Sequence, residues 1–135
     1  MTPRNIKIKQ ENRSKAIEYL KKAEDNYSQM YPALKSGNYN AAGTLAVQCA
    51  ISSADAICVF EKGSRSVSQE HMDVCELVKS ITLPEAAGKS NTLKKIIAKK
   101  NLIQYESRNI YKNEALEIVK LADRFYKWVQ SVMSN

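Results

Sequence analysis

Glycine and proline are scarce in this chain, four and three among 135 residues. A hairpin-rich β protein needs more turn punctuation than that, and the abundance of Ala, Lys, Glu, Leu and Ile favours helices. Histidine occurs once, at position 71, and the three cysteines (Cys49, Cys58, Cys75) are an odd number without a CxxC pair. Structural zinc takes about four Cys or His ligands, so neither a zinc site nor a disulfide framework is expected. Free thiols in a small-residue apolar segment point instead to a reducing, cytoplasmic compartment. No uninterrupted apolar run approaches the roughly 18 residues of a membrane span, and the opening Met1-Thr2-Pro3-Arg4-Asn5 is not that of a secretory signal. Neither a membrane nor a secreted protein is expected. Walker-type loops, HExxH, EF-hand loops and GxSxG are absent too, and no cofactor is expected.

What is present fits one domain over residues 1–135, with residues 1–12 as a polar N-terminal lead-in. The formal charge is +7 and is unevenly spread. Residues 1–22 hold seven basic and two acidic side chains, and residues 89–112 hold seven basic and one acidic, while residues 23–88 have four basic and eight acidic. Two basic segments thus flank an acidic centre, a pattern that attracts a polyanion or is simply a solvated lysine-rich surface. Lys94, Lys95, Lys99 and Lys100 of the second segment are the candidate nucleic-acid contacts.

Apolar spacing predicts four or five helices in an antiparallel all-α bundle. Ile17, Leu20, Ala23, Tyr27, Met30 and Leu34 define one face of a first helix over 14–35, with Pro32 expected to kink or tighten its last turn. Gly37 ends it and Asn38 is placed to cap the next. The second helix, 39–62, is rich in Ala, Gly, Ser and Cys, which suits the central position in a bundle. A polar stripe of Thr44, Gln48, Ser52, Asp55 and Lys62 interrupts it. A third helix is expected from Ser68 as N-cap, with Val67 and Met72 as a hydrophobic staple. Residues 82–89 read as a loop, Ser90 or Asn91 as the cap of a fourth helix to about 104, and 113–133 as a fifth. No stretch alternates long enough for a strand.

The chemically informative stretch is Gly63-Ser64-Arg65-Ser66-Val67-Ser68-Gln69-Glu70-His71. Arg65 in a turn and His71 in the first turn of the next helix can converge. A guanidinium fork matches phosphate and offsets charge in phosphoryl transfer, while an imidazole exchanges protons near neutrality. Such a pair suits metal-free cleavage of RNA, whose 2′-hydroxyl is an internal nucleophile. The same pattern also arises when a histidine packs on the core and an arginine is solvated. Asp55, on an apolar helix, needs a partner: Lys62 along the same face, or Arg65 or His71, which it would then orient. Glu24 on the first helix poses the same question, and Ser66 adjoins the arginine. Tyr105, Tyr111, Tyr126 and Trp128 fall mostly at helical core spacing, which predicts packing ahead of base stacking.

The runs KKAEDNY (21–27), KSGNYNAAGTLAVQCAISSADAICVF (35–60), GSRSVSQEH (63–71), NLIQYESRN (101–109) and EIVKLADRFYKWV (117–129) together resemble a HEPN domain, the higher-eukaryote and prokaryote nucleotide-binding family. The resemblance implies a helical bundle that forms a homodimer, with Arg and His of both subunits near the dimer axis. It implies binding of RNA or nucleotide, and in many members a metal-independent endoribonuclease that uses Arg, four to six residues, then His. Arg65 and His71 occupy those positions. Some members act as toxins beside a small nucleotidyltransferase partner, and others bind nucleotides or partners without cleavage.

Overall fold

A computed structural model describes residues 6–134. Five helices carry the architecture: α1 (Ala16–Lys35), α2 (Tyr39–Lys62), α3 (Met72–Lys79), α4 (Ala86–Tyr105) and α5 (Lys112–Ser134). This is the all-α bundle expected. Helix α2 is its axis, packed on α1, α5, α4 and α3. Ala42, Ala46, Ala50 and Ala54 repeat every four residues along α2 and are fully buried, so neighbouring backbones approach closely. At Gly43 a Cβ would lie 2.8 Å from Ile110 Cδ1 and 3.0 Å from Ile103 Cδ1, so only glycine fits there without displacement. Phe125, Met30, Ile57, Leu77, Leu93 and Ile118 complete the core. By length and composition α2 could cross a membrane, with a mean hydropathy of 1.5. In the bundle, 61% of that stretch is buried within the chain itself. The expectation of no span-length run counted contiguous apolar residues, which the polar stripe breaks.

The lead-in is not featureless, and the expectation of no strands is corrected. Strand β1 (Ile8–Gln10) pairs antiparallel with β2 (Ser64–Ser66), matching Ile8 with Ser66, Lys9 with Arg65 and Gln10 with Ser64. Two hydrogen bonds extend the ladder, Glu11 N–H to the Gly63 carbonyl and Val67 N–H to the Lys7 carbonyl, both 2.9 Å. Three residues lack the length for a visible period-two signal. Residues 1–5 of the lead-in, including the opening read for a signal sequence, lie outside the described residues.

Several boundaries move for identifiable reasons. A 3-10 turn at Arg13–Lys15 precedes α1, and Ile17 is 60% exposed while Tyr19 turns inward. Helix α1 runs through Pro32 to Lys35, and Gly37 follows at φ 78°. Asn38 contributes its carbonyl, not its side chain, to the start of α2. Gly63 ends α2 at φ 66°. Pairing of Val67 with the N-terminal segment holds the chain extended, so α3 starts at Met72 rather than Ser68, and Val67 is 43% exposed rather than stapled. Ser68 Oγ instead accepts from Glu70 N–H and donates to Asp73 Oδ2. Helix α4 begins at Ala86, inside the expected loop. Ser90 is buried within it and donates to the Cys75 carbonyl at 2.7 Å, tying α4 to α3 rather than capping.

Candidate functional site

Strand β2 and the turn after it lie across α2, and this places Arg65 and His71 in one cleft. Its volume is about 340 Å³, and its lining comes from Ile51 and Asp55 of α2, Arg65 and Ser66 of β2, Val67 and Ser68 of the turn, and His71 and Val74. Ile51 and Asp55 are one helical turn apart and so share a face. Arg65 lies on a strand rather than in the expected turn, and His71 immediately precedes α3.

The partner of Arg65 is Glu11. Its Oε2 lies 3.6 Å from Arg65 Nε, and its Oε1 lies 3.5 Å from Lys9 Nζ. Lys9 and Arg65 are cross-strand neighbours of like charge, a repulsive pairing that the carboxylate between them offsets. Tyr19 donates its hydroxyl to Glu11 Oε2, and its ring centroid lies 5.3 Å from the Arg65 guanidinium carbon. That hydrogen bond, then the nearby Arg65 and Lys9 charges, hold the Glu11 carboxyl below its usual range against the opposing effect of burial. Among the described residues the terminal Arg65 nitrogens make no hydrogen bond. They are left open to the cleft.

Asp55 is close enough to feel Arg65, Glu11 and Lys22, yet among the described residues it forms no ion pair, with Lys62 or any other cation. Burial pushes its carboxyl up to about 7, with Glu11 adding to the shift and Arg65 and Lys22 opposing it. His71 moves the other way: burial, then the Lys100 charge, lower it below the usual imidazole range, with Glu70 opposing. Near neutral pH the cleft therefore contains a mostly neutral imidazole and a partly protonated carboxyl, beside a fixed cation.

Ser66 lines the cleft. Glu24 is exposed on α1 and does not. Of the four lysines, Lys100 reaches the site, lining a second pocket that shares His71. Lys94 is 3.1 Å from Glu76, Lys95 is exposed, and Lys99 is half-buried. Cations from both basic segments thus flank the site, Lys9 and Lys22 from the first and Lys100 from the second. Tyr126 and Trp128 are buried as expected, but Tyr105 and Tyr111 are 76% and 62% exposed, correcting the core-packing expectation for those two. Glu11 and Tyr19 were not legible as site residues, because a short strand pair brings the lead-in and the start of α1 to Arg65 from 54 and 46 residues away. Among the described residues no group of three or more His, Cys, Asp or Glu could hold a metal ion.

A family model described as HEPN domain matches residues 16–132, most of the chain, with β1 and Glu11 lying just before the matched stretch. Comparison with curated proteins gives no match.

Proposed function

Because the chain belongs to the HEPN domain family, whose functions concern nucleotides and RNA, we propose that it binds RNA and cleaves it in the Arg65–His71 cleft. The observation that carries this reading is the joint lining of one cleft by Arg65, His71 and Asp55. Neutral His71 takes the proton of a ribose 2′-hydroxyl. The 2′-oxygen attacks the adjacent phosphorus, and the bond from phosphorus to the 5′-oxygen breaks. The terminal N–H groups of Arg65 hold the non-bridging oxygens, where charge builds up. Asp55, still partly protonated near pH 7, gives its proton to the departing 5′-oxygen. The products are a 2′,3′-cyclic phosphate and a 5′-hydroxyl.

HEPN domains often dimerise, and we place this cleft at the two-fold axis of a homodimer, where a second Arg65–His71 turn faces the same groove. In that arrangement the partner subunit's His71 is a rival proton donor to Asp55. Mixing Arg65→Ala with His71→Ala subunits after dissociation tests the shared groove, since composite sites make any activity depend on dimer concentration. A structure with the two His71 side chains on opposite outer faces of the dimer defeats it. The buried, unreactive thiols Cys49, Cys58 and Cys75 suit a cytoplasmic setting.

The deciding experiment is incubation of the purified protein with total RNA in EDTA, with analysis of the new ends. Cyclic-phosphate ends that disappear in His71→Ala are expected. A second reading draws on the Glu11 contact, which offsets part of the Arg65 charge: a non-catalytic module whose bundle surface holds a partner such as a nucleotidyltransferase. Intact RNA at high protein concentration favours that reading.

A further inference from the structure

A second pocket of about 220 Å³ shares His71 with the Arg65 cleft. Pockets for drug-sized ligands are about 300–1,000 Å³, so this one suits a single ring system rather than a whole nucleotide. One wall is a face of α4: Ile97, Lys100, Asn101 and Tyr105 recur at helical spacing and line it together. The other wall is the turn before α3, with Gln69, Glu70, His71 and Met72. Ile97 and Met72 provide apolar surface, and the Gln69 and Asn101 amides each offer a donor and an acceptor. Tyr105, the last residue of α4, leaves its ring 76% exposed at the rim. An aromatic ring, two apolar side chains and two amides are the complement of a flat heterocycle with hydrogen-bonding edges. The two pockets differ in kind. The Arg65 side offers cationic and hydroxyl groups suited to phosphate and ribose, and the Tyr105 side offers a surface suited to a base, with His71 common to both.

We propose that the pocket bounded by Tyr105, Asn101, Gln69 and His71 is a nucleobase subsite, which seats the base of a nucleotide whose phosphate lies in the Arg65 cleft. The proposal rests on the reading of that cleft as a site for RNA or nucleotides, and it names what fixes the register of the bound strand. Tyr105 stacks on the base, and Asn101 and Gln69 meet its edge. Glu70, on the same rim, repels phosphate and keeps the backbone on the Lys100 and Arg65 side.

The test is binding rather than cleavage. The full chain is titrated with nucleoside 5′-monophosphates of the four bases and with ribose 5-phosphate, following Tyr105 ring and Asn101 side-chain signals by NMR. Expected is binding of at least one nucleotide about tenfold tighter than ribose 5-phosphate, with Tyr105 and Asn101 signals moving for the base-bearing ligands alone. Tyr105→Ala should remove that tenfold difference and leave ribose 5-phosphate unaffected, while Tyr105→Phe retains it. Equal affinities, with changes confined to Arg65 and His71, overturn the base subsite and leave the proposed function standing. Failure of every phosphate ligand to bind overturns both.

Discussion

Two arginines in this chain follow a serine, Arg65 on strand β2 and Arg108 in the segment between α4 and α5, and although each lines a cleft their partners differ. Arg108 makes three hydrogen bonds. Its two terminal nitrogens donate to both Glu114 oxygens at 2.9 and 2.8 Å, one also reaches the Asn109 carbonyl at 3.1 Å, and the guanidinium carbon lies 4.6 Å from the Tyr111 ring centroid. The Arg108 bonds, helped by the Tyr111 N–H, hold the Glu114 carboxyl down at about 2. Among the described residues Arg65 meets an acid only at Nε, 3.6 Å from Glu11 and without a hydrogen bond, beside the Tyr19 ring, and it lines a cleft that also contains His71 and Asp55. A bidentate, stacked arginine is a fastener for the α4–α5 connection. An arginine without a bidentate partner keeps donors that an anion can take up, the role proposed for Arg65. The two guanidinium groups differ in how many donors their neighbours use, and under the proposed function that difference separates the arginine that meets RNA from the one that fastens the fold.

The strongest way to break this contrast is to remove each arginine in turn. Arg65→Ala should lower RNA cleavage by about a thousandfold, the upper range for loss of one preorganised charge stabiliser. Its thermal midpoint should stay close to wild type. Arg108→Ala should do the reverse, retaining cleavage while lowering the melting temperature and loosening the segment around Asn109. Parallel cleavage rates and calorimetry check both halves. Equal losses of activity in the two variants would erase the distinction.

Why the sequence separates these arginines only in part is physical. The bundle was legible because long periodic faces record burial directly: α2 runs over the expected 39–62, and Ile118, Ala122, Phe125 and Val129 of α5 are all buried. Arg65 and His71 were legible as a pair because their spacing is local. Glu11 was not, since its contact depends on a three-residue ladder between the lead-in and β2. Nor was the exposure of Tyr105, at a helix end where the 3.6 period stops constraining which face is covered. The start of α3 was misplaced for a related reason, as Ser68 looks like a cap until the Val67 N–H is seen to bond the Lys7 carbonyl.

The next effect sharpens the role of the acid beside Arg65. In the proposed mechanism His71 acts as the neutral base, so activity should rise with pH through a value below the usual 6.5. In the same mechanism Asp55 acts as the protonated acid, so activity should fall as pH passes about 7. A bell is expected, and Asp55→Asn should lower the maximum about a hundredfold and abolish the alkaline limb. Survival of that limb would transfer the donor role to the partner subunit's His71. Stability offers an independent reading. The folded Asp55 carboxyl holds its proton to a higher pH than the unfolded one, so its burial costs nothing below about pH 4. The cost then grows from about pH 4 to about pH 7. Asp55→Asn should therefore raise the melting temperature more at pH 8 than at pH 4.

A smaller effect tests the edge grip on Arg65. Glu11→Gln leaves Lys9 and Arg65 facing each other with no carboxylate between them. Partly exposed ion pairs contribute up to ~1 kcal/mol, so the opening of the β1–β2 ladder should become about fivefold more frequent. Hydrogen exchange at the Val67 amide reads this directly, and cleavage should fall about tenfold as Arg65 loses its fixed direction. Glu11→Asp should recover part of both. Unchanged Val67 exchange would show that the strand pair holds without the carboxylate.

The smallest expected effect extends the same distinction, spent donors against open ones, from arginines to lysines. Lys94 and Lys100 lie on the same helix six residues apart, but Lys94 is 3.1 Å from Glu76 while Lys100 lines the His71 pocket and among the described residues pairs with no acid. A lysine that contacts a phosphate releases condensed counterions, and each such contact on a single strand contributes about 0.7 to the slope of log affinity against log salt. Lys100→Ala should therefore flatten the slope by about 0.7 for unrelated RNA sequences. Lys94→Ala should change it by much less, because its charge is already offset by Glu76 before RNA arrives. Filter binding at several salt concentrations, with the His71→Ala background preventing cleavage, measures both slopes. If Lys94→Ala flattened the slope as much as Lys100→Ala, pairing in the free protein would be no guide to which cations meet the phosphate chain, and the contrast drawn from Arg65 and Arg108 would fail for lysines.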